Sequence, residues 1–180
     1  RVRVENMTVR EHFAQLEGLK MGFVGDGFNM CNSLIVGCLK VGMKVSVATP
    51  EGYEPDAKVL AFAEEMKKQG ASFELSHDIH QAADNADVLF TDAWIGMGQE
   101  AEAEKRRAAF AGFTVDHDLL SCCKEGVMVQ HCLPAHRGEE ITDEVLEEHA
   151  DEIFEESENR LHAQKAVMVM LMSEKSDFHI

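Results

Sequence analysis

The sequence lacks any apolar run of the length that a membrane-spanning helix requires, and no signal peptide opens it. We therefore expect no contact with a membrane. Basic residues are also scarce, since 17 Lys and Arg stand against 33 Asp and Glu and give a formal charge of −16. A surface this acidic repels phosphate backbones, so we expect no nucleic-acid partner.

Cysteine is present in an odd number, and no CxxC pair occurs. Without a secretion signal, this usage indicates reduced thiols and a cytoplasmic protein. Zinc bound by the last three cysteines and His131 is conceivable. However, adjacent cysteines seldom bind one ion and the usual ligand spacing is missing, so we expect no metal. The five cysteines are Cys31, Cys38, Cys122, Cys123 and Cys132.

Short apolar runs alternate with segments of helical periodicity, and 45% of the residues are hydrophobic, which is typical of a globular chain. Alternating strands and helices predict an α/β fold with a doubly wound, five-stranded parallel sheet, strand order 3-2-1-4-5, and helices on both faces. Strands are predicted at 20–24, 43–48, 72–75, 87–91 and 127–130. Helices are predicted at 29–41, 55–69, 78–85 and 99–110, in two acidic stretches after the fifth strand, and from about 158 to 172.

Three unusual segments follow the first, fourth and fifth strands: GDGFN at 25–29, TDAWIGMGQE at 91–100 and HCLPAHRGEE at 131–140. In the predicted strand order, the winding of the sheet reverses between strands one and four. Ligands bind such sheets outside the carboxyl ends of the strands at this reversal. We therefore expect these three loops to converge on one crevice.

The first loop permits a nucleotide interpretation that the sequence supports only weakly. Gly25 and Gly27 match the start of a GxGxxG fingerprint, but Met30 occupies the third glycine position. The end of strand two offers no clear ribose-binding acid. A tight turn that presents Asn29 at the start of a helix is the simpler interpretation.

The second loop places Asp92 directly after a strand, where a carboxylate can pair with a substrate ammonium group or cap a helix. In the third loop, Cys132 could be a nucleophile activated by His131 or His136, or simply a packing residue. Alternatively, Pro134 could fix the backbone so that the carbonyls of Cys132 and its neighbour Leu133 face a donor.

Taken together, these loops resemble the carbamoyltransferases, specifically the ornithine carbamoyltransferase family. The segment VATPEGYEPD at 47–56 and the Glu-Asn-Arg at 158–160 are also typical of it, and the resemblance runs from residue 7 to residue 168. It implies transfer of the carbamoyl group of carbamoyl phosphate to the δ-amine of L-ornithine, which gives citrulline and phosphate. No metal or organic cofactor takes part in that reaction.

The resemblance also implies roles for the residues of the second domain. Asn29 and Asp92 would hold the amino-acid end of ornithine, and Met97 would add a backbone contact. Cys132 and Leu133 would meet the reacting amine, with Cys132 near Asp92.

The same resemblance assigns the carbamoyl end of the reaction. Arg160 would reach the carbamoyl group, so that Asp92, Cys132 and Arg160 form the expected catalytic set. His131 would position the loop rather than act as a base, and Cys132 would form no covalent intermediate.

Two departures from the family pattern bear on the substrate. Phe28 replaces the first of two amides, and Gly96 replaces a serine whose hydroxyl is expected near ornithine. A carbamoyltransferase for another amine, such as putrescine, is therefore an alternative.

The family's carbamoyl-phosphate domain carries a Ser-Thr-Arg-Thr loop, which does not occur here. We interpret 1–17 as a remnant of the interdomain linker helix and 18–157 as the ornithine-binding domain. Residues 158–180 would be a C-terminal helix that packs on the missing domain. We expect no transfer by this chain alone. A homo-oligomer is expected, and a non-catalytic binding or assembly module is the alternative.

Residues 166–172 are apolar nearly all round a helix, which predicts burial. The helix could pack on its own domain, exchange between chains, or form a self-association interface.

Overall fold

The fold is built on five parallel strands, and the computed structural model describes residues 2–96 and 98–173. The spatial order β3-β2-β1-β4-β5 confirms the predicted sheet. The strands are β1 Lys20–Val24, β2 Lys44–Ala48, β3 Phe73–Ser76, β4 Val88–Thr91 and β5 Met128–His131.

Alternate side chains of each strand point to opposite faces of the sheet, and apolar side chains are present on both faces. Helices therefore cover both faces. Met21 and Phe23 pack in a core with α2, whereas Val24, Leu89 and Val129 pack in a second core on the other face. The helices are α1 Val2–Phe13, α2 Asn29–Lys40, α3 Ala57–Lys68, α4 Ile79–Ala83, α5 Ala103–Ala109, α6 His117–Leu120, α7 Asp143–Glu148 and α8 Ala150–Met172, with a 3₁₀ turn at Glu100–Glu102.

Side-chain caps explain why helices α3 and α4 begin later than the sequence pattern predicted. Asp56 accepts a hydrogen bond from the Lys58 amide at 2.8 Å, and Asp78 accepts one from the His80 amide at 2.9 Å. Each aspartate is therefore the N-cap and not a helical residue, as its short acceptor side chain favours.

The prediction of a separate last helix beginning near residue 158 was wrong, since α8 runs unbroken from Ala150 to Met172. No glycine or proline interrupts these residues, so nothing in the sequence ends the helix earlier. The short helix α6 was not predicted.

Contacts between α1 and α8 fix the first half of α8 to the domain. The buried Asn159 side chain donates from Nδ2 to Thr8 Oγ1 at 3.0 Å and to Glu11 Oε2 at 2.6 Å. Because Arg160 follows Asn159, these bonds also set the position from which Arg160 extends.

The second half of α8 does not pack back on the domain, contrary to one of the three arrangements considered. Its apolar side chains are exposed in the single chain, and Leu171 reaches 81% exposure. No helix within 2–96 and 98–173 is long and apolar enough to span a bilayer. The exposed apolar residues of this half are Val167, Met168, Val169, Met170, Leu171 and Met172.

Gly27 is required by a close approach between the loops after β1 and β2. Its amide donates to Tyr53 O at 2.9 Å, and a Cβ at this position would lie 2.4 Å from that oxygen and from Glu54 C. The glycine therefore lets two loop backbones pack together, which explains it without a bound phosphate.

Replacement Gly27→Ala should lower the free energy of unfolding by about 1–3 kcal/mol, because backbone atoms must move to admit the methyl group. Gly96→Ala is the matched control, since its Cβ would meet only the side chain of Gln99, at 3.2 Å. Urea unfolding of both variants measures the difference. Equal stabilities would contradict the close-approach explanation.

Candidate functional site

The register of the sheet brings Asp92 and Cys132 together. Thr91 at the end of β4 pairs with His131 at the end of β5. The residues that follow them, Asp92 and Cys132, therefore leave the sheet side by side. Cys132 Sγ donates to Asp92 Oδ1 at 3.2 Å. Two of the residues predicted for catalysis are thus in direct contact.

Asn29 and Asp92 line one cavity of about 120 Å³ above β1 and β4. Phe28, at the N-cap of α2, has no side-chain acceptor for the first amides of the helix. A helix N-terminus favours a carboxylate, whereas nearby aspartates favour an ammonium group. The other lining residues are Asp26, Phe28, Ala93, Gly96 and Gln99.

Cys132, Leu133 and Arg160 line a second, larger cleft of about 440 Å³ between the β5 loop and helices α1 and α8. Asn29 does not line this cleft, so the three loops converge on two adjacent cavities rather than one. The Asp92–Cys132 contact joins them. Other residues of the cleft are Val4, Glu5, Pro134, Glu156 and Ser157.

The loop after β4 is closed by its own polar side chains. Gly96 N donates to Gln99 Oε1 at 2.8 Å, and Gly98 N donates to Glu100 Oε1 at 3.0 Å. The bond from Gly98 lowers the pKa of Glu100. Gln99, which sequence reasoning did not single out, therefore places an amide beside the position where the family carries a serine. Met97 lies outside the described residues.

Arg106 connects three loops, and sequence reasoning missed it. Its Nε donates to Trp94 O at 2.6 Å, and its Nη2 forms an ion pair with Asp26. The guanidinium lies 5.0 Å from the ring centre of Tyr53 and 5.3 Å from that of Phe110. At 4% exposure, this buried cation fixes the loops after β1, β2 and β4 relative to one another.

The charged form of Asp26 is disfavoured in this arrangement. Burial raises the pKa of its carboxyl group, and the nearby Asp92 raises it further, while Arg106 acts in the opposite direction. The cavity therefore contains two interacting carboxylates, and Asp26 is paired with a buried arginine. A cationic ligand group would relieve the repulsion between them.

His131 is not placed to activate Cys132 as a nucleophile. Its Nδ1 accepts a hydrogen bond from Leu133 N at 2.9 Å, and its Nε2 lies 3.2 Å from Glu140 Oε1. Both ring nitrogens are thus engaged away from the thiol. The buried thiol of Cys31 is also an unsuitable nucleophile, because burial raises its pKa well above the ordinary value.

The cysteines considered as zinc ligands are dispersed in the fold. Cys132 contacts Asp92, whereas Cys122 Sγ lies 3.6 Å from His80 Nδ1. Within residues 2–96 and 98–173, no three metal-binding side chains are grouped to hold an ion.

Comparison with known proteins places this site in a family. Residues 17–171 match the model of the aspartate/ornithine carbamoyltransferase Asp/Orn-binding domain. Ornithine carbamoyltransferase of Pyrococcus horikoshii is 52% identical over 167 residues, which is 92% of this chain and 53% of that protein. The corresponding enzyme of Gloeobacter violaceus is 51% identical over the same share of each chain.

Solved structures agree with the sequence matches. Ornithine carbamoyltransferase from Pyrococcus furiosus superimposes with a TM-score of 0.85 at 48% identity, over 93% of this chain and 54% of that one. The anabolic enzyme from Campylobacter jejuni gives 0.87 at 34% identity, over 93% and 56%. The chain therefore spans about half the length of the curated relatives and structures that it matches.

Arg106→Met should destabilise the protein by about 3–5 kcal/mol near neutral pH, because it leaves the buried Asp26 carboxylate without its cation. Protonated Asp26 needs no cation, so this loss should shrink as the pH falls through the raised pKa of Asp26. Denaturant unfolding across a pH series measures it.

In the double variant Asp26→Asn/Arg106→Met, the pH-dependent part of the loss should disappear. A loss of stability that is independent of pH in Arg106→Met would contradict the assigned ion pair.

Proposed function

This chain belongs to the aspartate/ornithine carbamoyltransferase family and carries its Asp/Orn-binding domain, and from this premise we propose that it binds L-ornithine for transfer of a carbamoyl group to the δ-amine. The contact between Asp92 and Cys132 is the observation that carries the proposal. It connects a cavity suited to an amino-acid zwitterion with a cleft that contains Arg160.

In this proposal, the α-amino and α-carboxylate groups of ornithine occupy the cavity lined by Asn29 and Asp92. The carboxylates of Asp26 and Asp92 favour the ammonium group, and the amino end of α2 favours the ligand carboxylate. The departure at Gly96 removes a hydroxyl, but the side chain of Gln99, whose Oε1 accepts from Gly96 N, lines the same cavity. These features favour an amino acid over a simple diamine.

The side chain of ornithine then extends past Cys132 into the larger cleft, where Leu133 and Arg160 lie. The neutral δ-amine attacks the carbamoyl carbon, the bond from that carbon to the phosphate oxygen breaks, and the departing phosphate takes up the proton that the amine loses. Arg160 supplies positive charge to the carbamoyl oxygen, so the residues act by positioning and by charge stabilisation. No step requires a covalent bond to Cys132, a metal or an organic cofactor.

Carbamoyl phosphate is the second substrate of the proposed reaction, and its phosphate needs basic groups. The Ser-Thr-Arg-Thr loop that the family uses for it does not occur in the 180 residues. We propose that a separate or additional domain supplies this site and that the functional enzyme is a cytoplasmic homo-oligomer. Met97 would contact ornithine through its backbone.

L-ornithine should bind the chain in isothermal titration calorimetry, and Asp92→Asn should weaken this binding by about 10- to 100-fold, since a charge-assisted hydrogen bond is lost. Asp118→Asn is the control, because it removes the same charge from an exposed position on α6. Putrescine, which lacks the carboxylate, should bind more weakly than ornithine.

No heat with either amine would favour a non-catalytic module of the same fold. Tighter binding of putrescine than of ornithine would contradict the proposed substrate and favour a different carbamoyltransferase.

The purified 180-residue chain should form no citrulline from ornithine and carbamoyl phosphate, because it lacks the phosphate-binding loop. A colorimetric citrulline assay measures this, with a full-length relative such as the Pyrococcus furiosus enzyme as the positive control. Citrulline above the uncatalysed background would refute the assignment of phosphate binding to another domain.

A further inference from the structure

A chain of buried contacts leads from Glu140 to the backbone of the candidate amine site. The side chains of His131 and Glu140 are fully buried. Glu140 Oε1 lies 3.2 Å from His131 Nε2, and His131 Nδ1 lies 2.9 Å from Leu133 N. Leu133 lines the larger cleft beside Cys132 and Arg160.

Hydrogen-bond chemistry fixes the direction of these contacts. The amide of Leu133 can only donate, so Nδ1 of His131 must be the acceptor and carries no hydrogen. The hydrogen of the neutral ring is then on Nε2, where the Glu140 carboxylate accepts it. The opposite tautomer would place two donors against each other at Leu133 and leave no donor toward Glu140.

Leu133 depends on this support because its backbone is in an unfavourable region. Its φ of 52° is left-handed, a conformation that a leucine rarely adopts. Such conformations persist where the surrounding structure holds them, and they cluster at ligand-binding sites. The Leu133 amide is held by its bond to the buried imidazole, and the Leu133 side chain packs against the second core.

Burial of the Glu140 carboxylate costs free energy, which indicates that this residue has a specific role. Its Oε1 also accepts a hydrogen bond from His136 N at 2.5 Å, but within the described residues its Oε2 has no hydrogen-bond partner. A buried carboxylate with incomplete partners costs stability. Its backbone is fixed as well, since Val115 N donates to Glu140 O at 2.9 Å.

We propose that Glu140 is a positioning residue for the amine site, which selects the Nε2–H tautomer of His131 and thereby holds the Leu133 backbone in its left-handed conformation. The role of the site rests on the proposed function, whereas the tautomer and the Leu133 contact can be measured without any ligand. Neither residue touches the reacting atoms, so both act through Leu133.

The first test reads the tautomer in the unmodified chain labelled with ¹⁵N. Long-range ¹H–¹⁵N spectra at neutral pH should show His131 with a protonated Nε2 and an unprotonated Nδ1. In Glu140→Met, the ¹⁵N chemical shifts of the two ring nitrogens should move toward values averaged over both tautomers. The control Glu139→Met should leave these shifts unchanged. The opposite tautomer in the unmodified chain, or an unchanged one in Glu140→Met, would overturn the proposal.

The second test distinguishes the contributions of the two ring nitrogens of His131, and it does not depend on whether Glu140→Met folds. His131→Asn keeps an acceptor near the position of Nδ1, whereas His131→Gln keeps a polar group near Nε2 but loses that acceptor. The Leu133 amide should exchange slowly with solvent in the unmodified chain and in His131→Asn, and at least tenfold faster in His131→Gln.

Ornithine affinity should follow the same order, with His131→Asn within a few-fold of the unmodified chain and His131→Gln on the order of tenfold weaker. Equal affinities and equal exchange rates in the two variants would overturn the proposal. If the unmodified chain binds no ornithine, the proposed function fails, but the tautomer measurement still decides the role of Glu140, and the exchange measurement decides that of His131.

Discussion

The candidate site depends on the reversal of winding between β1 and β4. These two strands are neighbours at the centre of the sheet, and the chain builds outward from them in opposite directions. The loops that follow β1, β4 and β5 therefore emerge at one edge of the sheet. The register between β4 and β5 then determines that Asp92 and Cys132 meet.

Within that frame, buried charge gives the site its chemical character. Arg106 holds Asp26 and the Trp94 backbone, and in doing so it places a second carboxylate beside Asp92. The amino end of α2 lines the same cavity at Phe28 and Asn29, and the Phe28 backbone donates a hydrogen bond to Asp26. The cavity thus combines two acidic groups with a helix amino end, which are the partners that an ammonium group and a carboxylate favour. Arg160 adds positive charge in the adjoining cleft.

The sheet was predictable because it depends on local patterns. Apolar runs identify the five strands, and alternation with helices predicts their order. Asp92 and Cys132 were candidates because they directly follow strands at the predicted crevice; they are in contact, and their roles in a ligand site stay predictions. Arg106 was missed because its helix reads as a charged surface segment, and only tertiary packing buries it. The same holds for Glu140, whose partner His131 is identified by a contact across a loop. The division into two cavities was also unpredictable, since it depends on side-chain volumes.

We propose that the three loops form one ligand site, which is joined by the Asp92–Cys132 contact. Titration of the ¹⁵N-labelled chain with L-ornithine, followed by amide chemical shifts, tests it directly. Saturable shifts are expected at Asn29, Asp92 and Leu133, with a common dissociation constant. Shifts confined to other parts of the chain, or different constants for the three loops, would contradict it.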